Sequence, residues 1–212
     1  LTAGGRFYLV TNVENGLVRQ WAELPGVSKI PSYWHVLTLP NKSSTCTSKG
    51  PWILAARGRE LYRIDVGVAE LIDPSPAIKS MTHTSIHLIA ISSNQQLVAL
   101  YLDNGVLWIG DTAFQKCHCE IFLPDRIDAF NSGSKDSVDS TFQNPIKILW
   151  STVCAVVLQW TNFVVLVGPH EDIYEFFYPE DVYLEQEDLS GRPGWMHFVR
   201  LILCIEEKLD PK

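Results

Sequence analysis

Basic charge is scarce in this chain. Seventeen Lys and Arg face twenty-four Asp and Glu over 212 residues, a formal net charge of −7. Nucleic-acid binding needs a basic footprint to displace counterions from phosphate, so that class of partner is excluded, and a broad attraction to anionic lipid is disfavoured. Cysteines are few and odd in number (Cys46, Cys117, Cys119, Cys154 and Cys204), without regular spacing. That argues against a disulfide framework and fits a reducing compartment such as the cytosol. No run approaches the ~20 apolar residues of a membrane span. The opening LTAGGRFYLV has no initiator Met and no basic-then-apolar signal segment, so a piece of a longer protein is expected.

Catalytic signatures are missing as well. There is no GxSxG nucleophile elbow and no GxxxxGK[ST] phosphate loop. His170-Glu171 lacks the second His of a zincin helix. Cys117-His118-Cys119 has its two thiols one residue apart with no second pair, so a buried Cys on each side of an exposed His is the better reading than a zinc site. His83 and His87, with Asp103 nearby in sequence, fall on a stretch that reads as strand, where positions i and i+4 lie about 13 Å apart, too far for one metal. No catalytic, cofactor-binding or metal residue is therefore assigned, and no cofactor is expected.

What is present is β-forming sequence. Hydrophobic residues make up 46%, and seven Trp, seven Tyr and nine Phe favour sheet over helix. The stretch LYLDNGVLWIG, residues 100–110, places Asn104-Gly105 between two apolar runs, the sign of a tight type I′ hairpin. The layout recurs. FYLVTNVENGLVRQW pivots at Gly16, WILAARGRELYRID at Gly58 and CAVVLQWTNFVVLVG near Asn162. The pivots at 16, 58, 105 and 162 stand 42, 47 and 57 residues apart.

A period of roughly 40–50 residues built from short strands and turns marks β-propeller blades, each a four-stranded antiparallel sheet. Flanking strands are legible in TSIHLIAIS, CHCEIFLP and DIYEFFYP. The longest interval contains FNSGSKDSVDSTFQN, with almost nothing to bury, which reads as a surface loop over 131–144. AVVLQW and FVVLVG are nearly unbroken apolar runs, as expected of strands covered on both faces. The fold class is thus all-β, about four blades of a larger, seven-bladed propeller, spanning 1–191. A divergent tail follows over 192–212, with a short helix or strand between Trp195 and Cys204. Four blades do not close a ring of the usual kind, so the chain alone is expected to be marginal or aggregation-prone.

From Glu171 to Asp188 there are eight acidic residues and no Lys or Arg. The run reads as strands with a solvated acidic face, or as a docking edge for a basic partner; the EF-hand pattern of a calcium site is absent. Its aromatics (Tyr174, Phe176, Phe177, Tyr178 and Tyr183) read as core and cross-strand packing. Trp21, Trp34, Trp52, Trp108, Trp150 and Trp160 fall in or beside the strands, where blade packing consumes bulky rings.

Taken in order, LPGVSKIPSYWHVL, RGRELYRID, SSNQQLVALYLDNGVLWIGD, AVVLQW with VVLVG, and FFYPEDVYLEQEDLSG resemble the vacuolar protein sorting-associated protein 16 family. The likeness is to the later part of the family's N-terminal β-propeller region and covers about Phe7 to Gly191. No single motif is diagnostic; the specificity lies in many ordered matches. The resemblance implies a non-catalytic scaffold of the class C tethering complexes HOPS and CORVET, acting in vesicle-mediated protein transport on late endosome and lysosome (vacuole) membranes. It further implies other tethering subunits as partners, with Rab GTPases engaged through those subunits and SNARE assembly promoted by the complex. The family's C-terminal α-solenoid, which holds the Sec/Munc-like SNARE-binding subunit, has no counterpart here, so that partner is not expected to bind. The WD dipeptide of ordinary WD repeats is missing, and the likeness stops after Ser190-Gly191, where RPGWMHFVRLILCIEEKLDPK replaces the family's next strand. The competing class is a propeller-based enzyme or small-ligand binder with His, Asp or Glu clustered on the innermost strands around a central channel. The sequence shows no such periodic placement.

Overall fold

Sixteen strands and one short 3-10 turn make up the regular structure in a computed structural model that describes residues 1–2, 5–12, 14–26, 30–38, 50–74, 78, 84–128, 143–151, 155–168, 170–187 and 198–203. A hairpin of β1 (Arg6–Asn12) and β2 (Leu17–Glu23) comes first. Three four-stranded sheets follow, each a meander paired in chain order. The first holds β3 (Tyr33–Leu37), β4 (Trp52–Arg57), β5 (Glu60–Asp65) and β6 (Val68–Ile72). The second holds β7 (Ile86–Ile91), β8 (Leu97–Leu102), β9 (Val106–Asp111) and β10 (Cys117–Phe122). The third holds β11 (Lys147–Ser151), β12 (Ala155–Gln159), β13 (Phe163–Val167) and β14 (Ile173–Phe177). A two-stranded sheet of β15 (Val182–Glu187) and β16 (Phe198–Leu203) comes last. This is part of a β-propeller: successive antiparallel blades stacked face to face, with almost no helix among the described residues. The first strands β3, β7 and β11 lie next to one another, which places them innermost.

Alternation along each central strand explains the stacking. In a strand, neighbouring side chains point to opposite faces. Val98, Leu100 and Leu102 of β8 enter the core shared with the first blade, beside Trp52, Leu54 and Leu61. Ala99 and Tyr101 of the same strand enter the core shared with the third blade, beside Trp150, Leu158 and Val165. A strand that feeds two cores can have no polar face, which is why these runs read as unbroken apolar sequence. The Trp150 indole N–H adds a link between blades by donating to the Ala90 carbonyl at 3.0 Å.

The hairpin at Asn104-Gly105 forms, but not as a type I′ turn. Only Gly105 has positive φ, at 90°, and its N–H donates to the Leu102 carbonyl at 3.0 Å. Three residues, 103–105, therefore link β8 to β9 in the pattern of a type I turn closed by a left-handed residue. The Asn104 side chain accepts from the Val106 N–H at 3.2 Å, an Asx-type contact that helps hold the turn without positive φ at Asn104. At the second pivot Gly58 alone takes the left-handed conformation. The fourth closes over Thr161 and Asn162, with the Trp160 N–H donating to the Phe163 carbonyl at 2.9 Å.

Gly16 differs in place. Its hairpin forms a sheet of two strands, with β2 against β5 and β6 of the first blade and Phe7 and Trp21 buried on Ile53 and Tyr62. The tail's apolar stretch is strand, not helix, over 198–203, paired antiparallel with β15 from Phe198 opposite Glu187 to Leu203 opposite Val182. An unpaired β15 edge offers main-chain partners that an isolated two-turn helix lacks, and Phe, Val and Ile suit a strand. The loop expected at 131–144 and the ends of the tail lie outside the described residues, apart from 143–144.

Candidate protein-interaction surface

Inner strands were the expected location of any channel chemistry. On β3, His35 is exposed and its pKa is lowered by partial burial. His87 on β7 meets the Tyr101 ring edge-on at 6.2 Å between centroids, and Lys147 on β11 donates to the Leu184 carbonyl at 2.6 Å. His87 and Lys147 thus engage structural neighbours. Among the described residues no three His, Cys, Asp or Glu side chains gather as metal ligands. His83, Cys46, Cys154 and Cys204 lie outside the described residues. Asp103 is exposed in its turn, and its N–H donates to the Ser85 carbonyl at 3.0 Å.

The Cys117-His118-Cys119 site is corrected in part. A bulge puts Cys117 opposite Gly110 and Cys119 opposite Ile109, so His118 is the extra residue and simple alternation fails. Cys119 is buried and its thiol pKa is pushed up to about 12, chiefly by burial. Cys117 is exposed rather than buried. A second correction concerns Trp34, which is 45% exposed on β3 and meets Phe7 edge-on, while the other five tryptophans of the set are buried.

The acidic run assembles into a surface. β14 is the last strand of the third blade, and its aromatics are not core: Tyr174 is 55% exposed, Phe176 47% and Phe177 60%. Tyr183 on β15 is exposed too, whereas Tyr178 is half-buried against Val157, Val164, Val182 and Leu184. Phe177 keeps the expected cross-strand contact, stacked on Phe163 at 5.8 Å. Phe177 lies on the face toward the second blade, whereas for Tyr174 and Phe176 the cause of the exposure is the neighbour. β15 and β16 cover the inner part of this blade face and extend no further among the described residues.

Main-chain geometry orients the edge. The Gly168 N–H donates to the Asp172 carbonyl at 2.8 Å and the Tyr178 N–H to the Asn162 carbonyl at 2.9 Å. Antiparallel bonding alternates, so Tyr174 and Phe176 turn their amide groups toward β13, while those of Ile173 and Phe177 point away from the sheet. Glu171 and Asp172 precede the strand, Glu180 and Asp181 follow it, and all four are exposed. Arg126 reaches Glu171 at only 4.0 Å with both side chains half exposed, a weak pair. Glu175 accepts from the Asp128 N–H at 2.7 Å, tying the strand to the chain leaving the second blade.

β15 is fastened to the third blade by a side chain that sequence reasoning passed over. Buried Gln159 donates from its amide nitrogen to the Val182 carbonyl and accepts from the Leu184 N–H at 3.0 Å. Its amide thus stands in for a strand partner. Beside it an open cleft of about 250 Å³ is lined by Lys147, Gln159, Asp181 and Tyr183. That lies below the roughly 300–1,000 Å³ usual for ligand pockets, and its principal polar groups already hold β15.

The fold and this edge define a class: a set of propeller blades that presents shape, exposed aromatics and acidic charge. The family described as "Vps16, N-terminal region" matches residues 1–189, and the chain belongs to it. It is 26% identical over 194 residues to the vacuolar protein sorting-associated protein 16 homolog of Drosophila melanogaster, covering 88% of this chain and 20% of that protein. The chain thus spans about a fifth of that relative's length. In structure it is similar to BBS1N, crystallised in complex with ARL6DN and soaked with lead, at a TM-score of 0.56 and 10% identity over 95% of this chain and 56% of that one. At that identity the likeness carries the fold alone. No helix among the described residues is long and apolar enough to cross a membrane.

Proposed function

We propose that the chain serves as part of a non-catalytic scaffold subunit of an endosome and lysosome (vacuole) membrane-tethering complex, supporting vesicle fusion and intracellular protein transport. The observation that carries this is the family match over residues 1–189, laid on blades whose conspicuous unburied feature is the aromatic and acidic edge at β14. In this reading the partners are the other class C subunits of HOPS and CORVET, and the location is cytoplasmic, peripheral on late endosomes and lysosomes. The blades run through 191, and the divergent tail from 192 contributes β16. Affinity capture with the tagged chain, and with the longer protein that contains it, tests the reading. Co-purification of other tethering subunits is the expected result, and their absence from both captures contradicts it.

A further inference from the structure

Among the described residues, each end of the stack of blades is half covered, and the two covers lie on opposite halves. On the first blade, the β1–β2 hairpin lies against the outer strands β5 and β6. Trp34 and Val36 of the innermost strand β3 stay exposed. On the third blade, β16 lies against the innermost strand β11 and β15 against β12. Tyr174 and Phe176 of the outermost strand β14 stay exposed on that same face. A blade has four strands, and each end of this chain carries a sheet of two.

The hairpin has a second apolar face to offer. Tyr8, Val10 and Val18 share one side of it and are exposed, while Phe7 and Trp21 are buried against the first blade. Charge separates the two ends in the same sense. Residues 1–65 hold eight Lys and Arg against four Asp and Glu, whereas 171–188 hold eight Asp and Glu and no Lys or Arg. Arg6 and Arg19 of the hairpin are exposed, as are Glu171, Asp172, Glu180 and Asp181 around β14.

We propose that two copies of this chain join head to tail about a two-fold axis. The hairpin of one copy seats its Tyr8, Val10 and Val18 side on Tyr174 and Phe176 of the other, whose β15 and β16 cover Trp34 and Val36 in return. The four strands then make one shared blade. Two such joints close a ring of eight blades, six within single copies and two shared, inside the range of about four to eight that propellers adopt. The joint packs faces and needs no new strand pairing. Glu175 of β14 is already tied to the Asp128 N–H, and Gln159 already holds Val182 and Leu184 of β15. A second copy is the favoured occupant because it brings the missing half of a blade to each end, and a basic end to the acidic one. The inference rests on the blades alone and stands apart from the tethering role.

Sedimentation velocity of the purified 212-residue chain tests it. A dimer that dissociates on dilution is expected, weakened about tenfold at high salt. Val10→Glu with Val18→Glu breaks the hairpin side of the joint, and Tyr174→Ser with Phe176→Ser breaks the blade side. Both pairs lie in exposed positions and leave the β circular dichroism unchanged. Each variant alone is expected to be monomeric. An equimolar mixture of the two keeps one intact joint per mixed pair and recovers dimer, whereas a contact between like ends would leave one of the variants dimeric by itself. A wild-type monomer at every concentration, which would leave these faces to a different partner, overturns the proposal. So do species larger than a dimer, a variant that stays dimeric, or no recovery on mixing.

Discussion

The two faces of the third blade are made by alternate residues of the same strands, yet they differ in burial. Toward the second blade, Ile148, Trp150, Val156, Leu158, Phe163, Val165 and Val167 of the three inner strands are all 8% exposed or less, while Phe177 at the end of β14 is 60% exposed. Toward β15 and β16, Val157 and Val164 are buried, Leu149 and Leu166 half-buried, and Tyr174 and Phe176 open to solvent. Composition does not cause this, since both faces are apolar. The neighbour does: among the described residues, four strands cover one face and two cover part of the other. In stacked blades, burial belongs to the pair of sheets, and an apolar face without a full neighbour is a place for something else to bind.

The comparison can be broken most severely on its covered side. Trp150→Ala removes a ring 2% exposed and its bond to Ala90, and should cost about 3–5 kcal/mol in denaturant unfolding. Next comes the fastening of β15. Gln159→Leu leaves the Val182 carbonyl and Leu184 N–H without their partner, at about 1–3 kcal/mol. That loss should be local, read as faster exchange of the Leu184 amide with β8 unaffected. Gly105→Val forces a β-branched residue to φ 90° and should cost about 1–2 kcal/mol. Partner capture per folded molecule should stay the same, because the turn carries shape rather than contact chemistry. On the side toward β15, Phe176→Ser should change stability by less than about 0.5 kcal/mol in the same denaturant experiment, because the ring is 47% exposed.

Much of the blade pattern was legible in the sequence because strands that feed two cores leave unbroken apolar runs, as in AVVLQ and FVVLV. The edge was harder. Tyr174 and Phe176 look like core residues by type, and their exposure depends on what lies across the blade face, a relation between sheets that periodicity does not report. Cys117 was misplaced for a local reason, a bulge that inserts His118 and shifts the register. Gln159 was invisible because its partners stand 23 and 25 residues away in another sheet. Gly110 was passed over too: a Cβ there would lie 2.1 Å from the Trp108 ring and 2.5 Å from the Lys116 carbonyl, so the close approach needs glycine. The acidic run was seen, and it falls before, within and after β14, at Glu171 and Asp172, Glu175, and Glu180 and Asp181.

Native-state hydrogen exchange of the full chain, resolved by residue, tests the stacking account most directly. The amides of β8, β9, β12 and β13 that bond within their sheets should exchange only through global opening, while those of Ile173 and Phe177, together with β15, exchange at least about a hundredfold faster. Uniform protection across β12, β14 and β15 would contradict it, because the two faces of the third blade would then be equally covered.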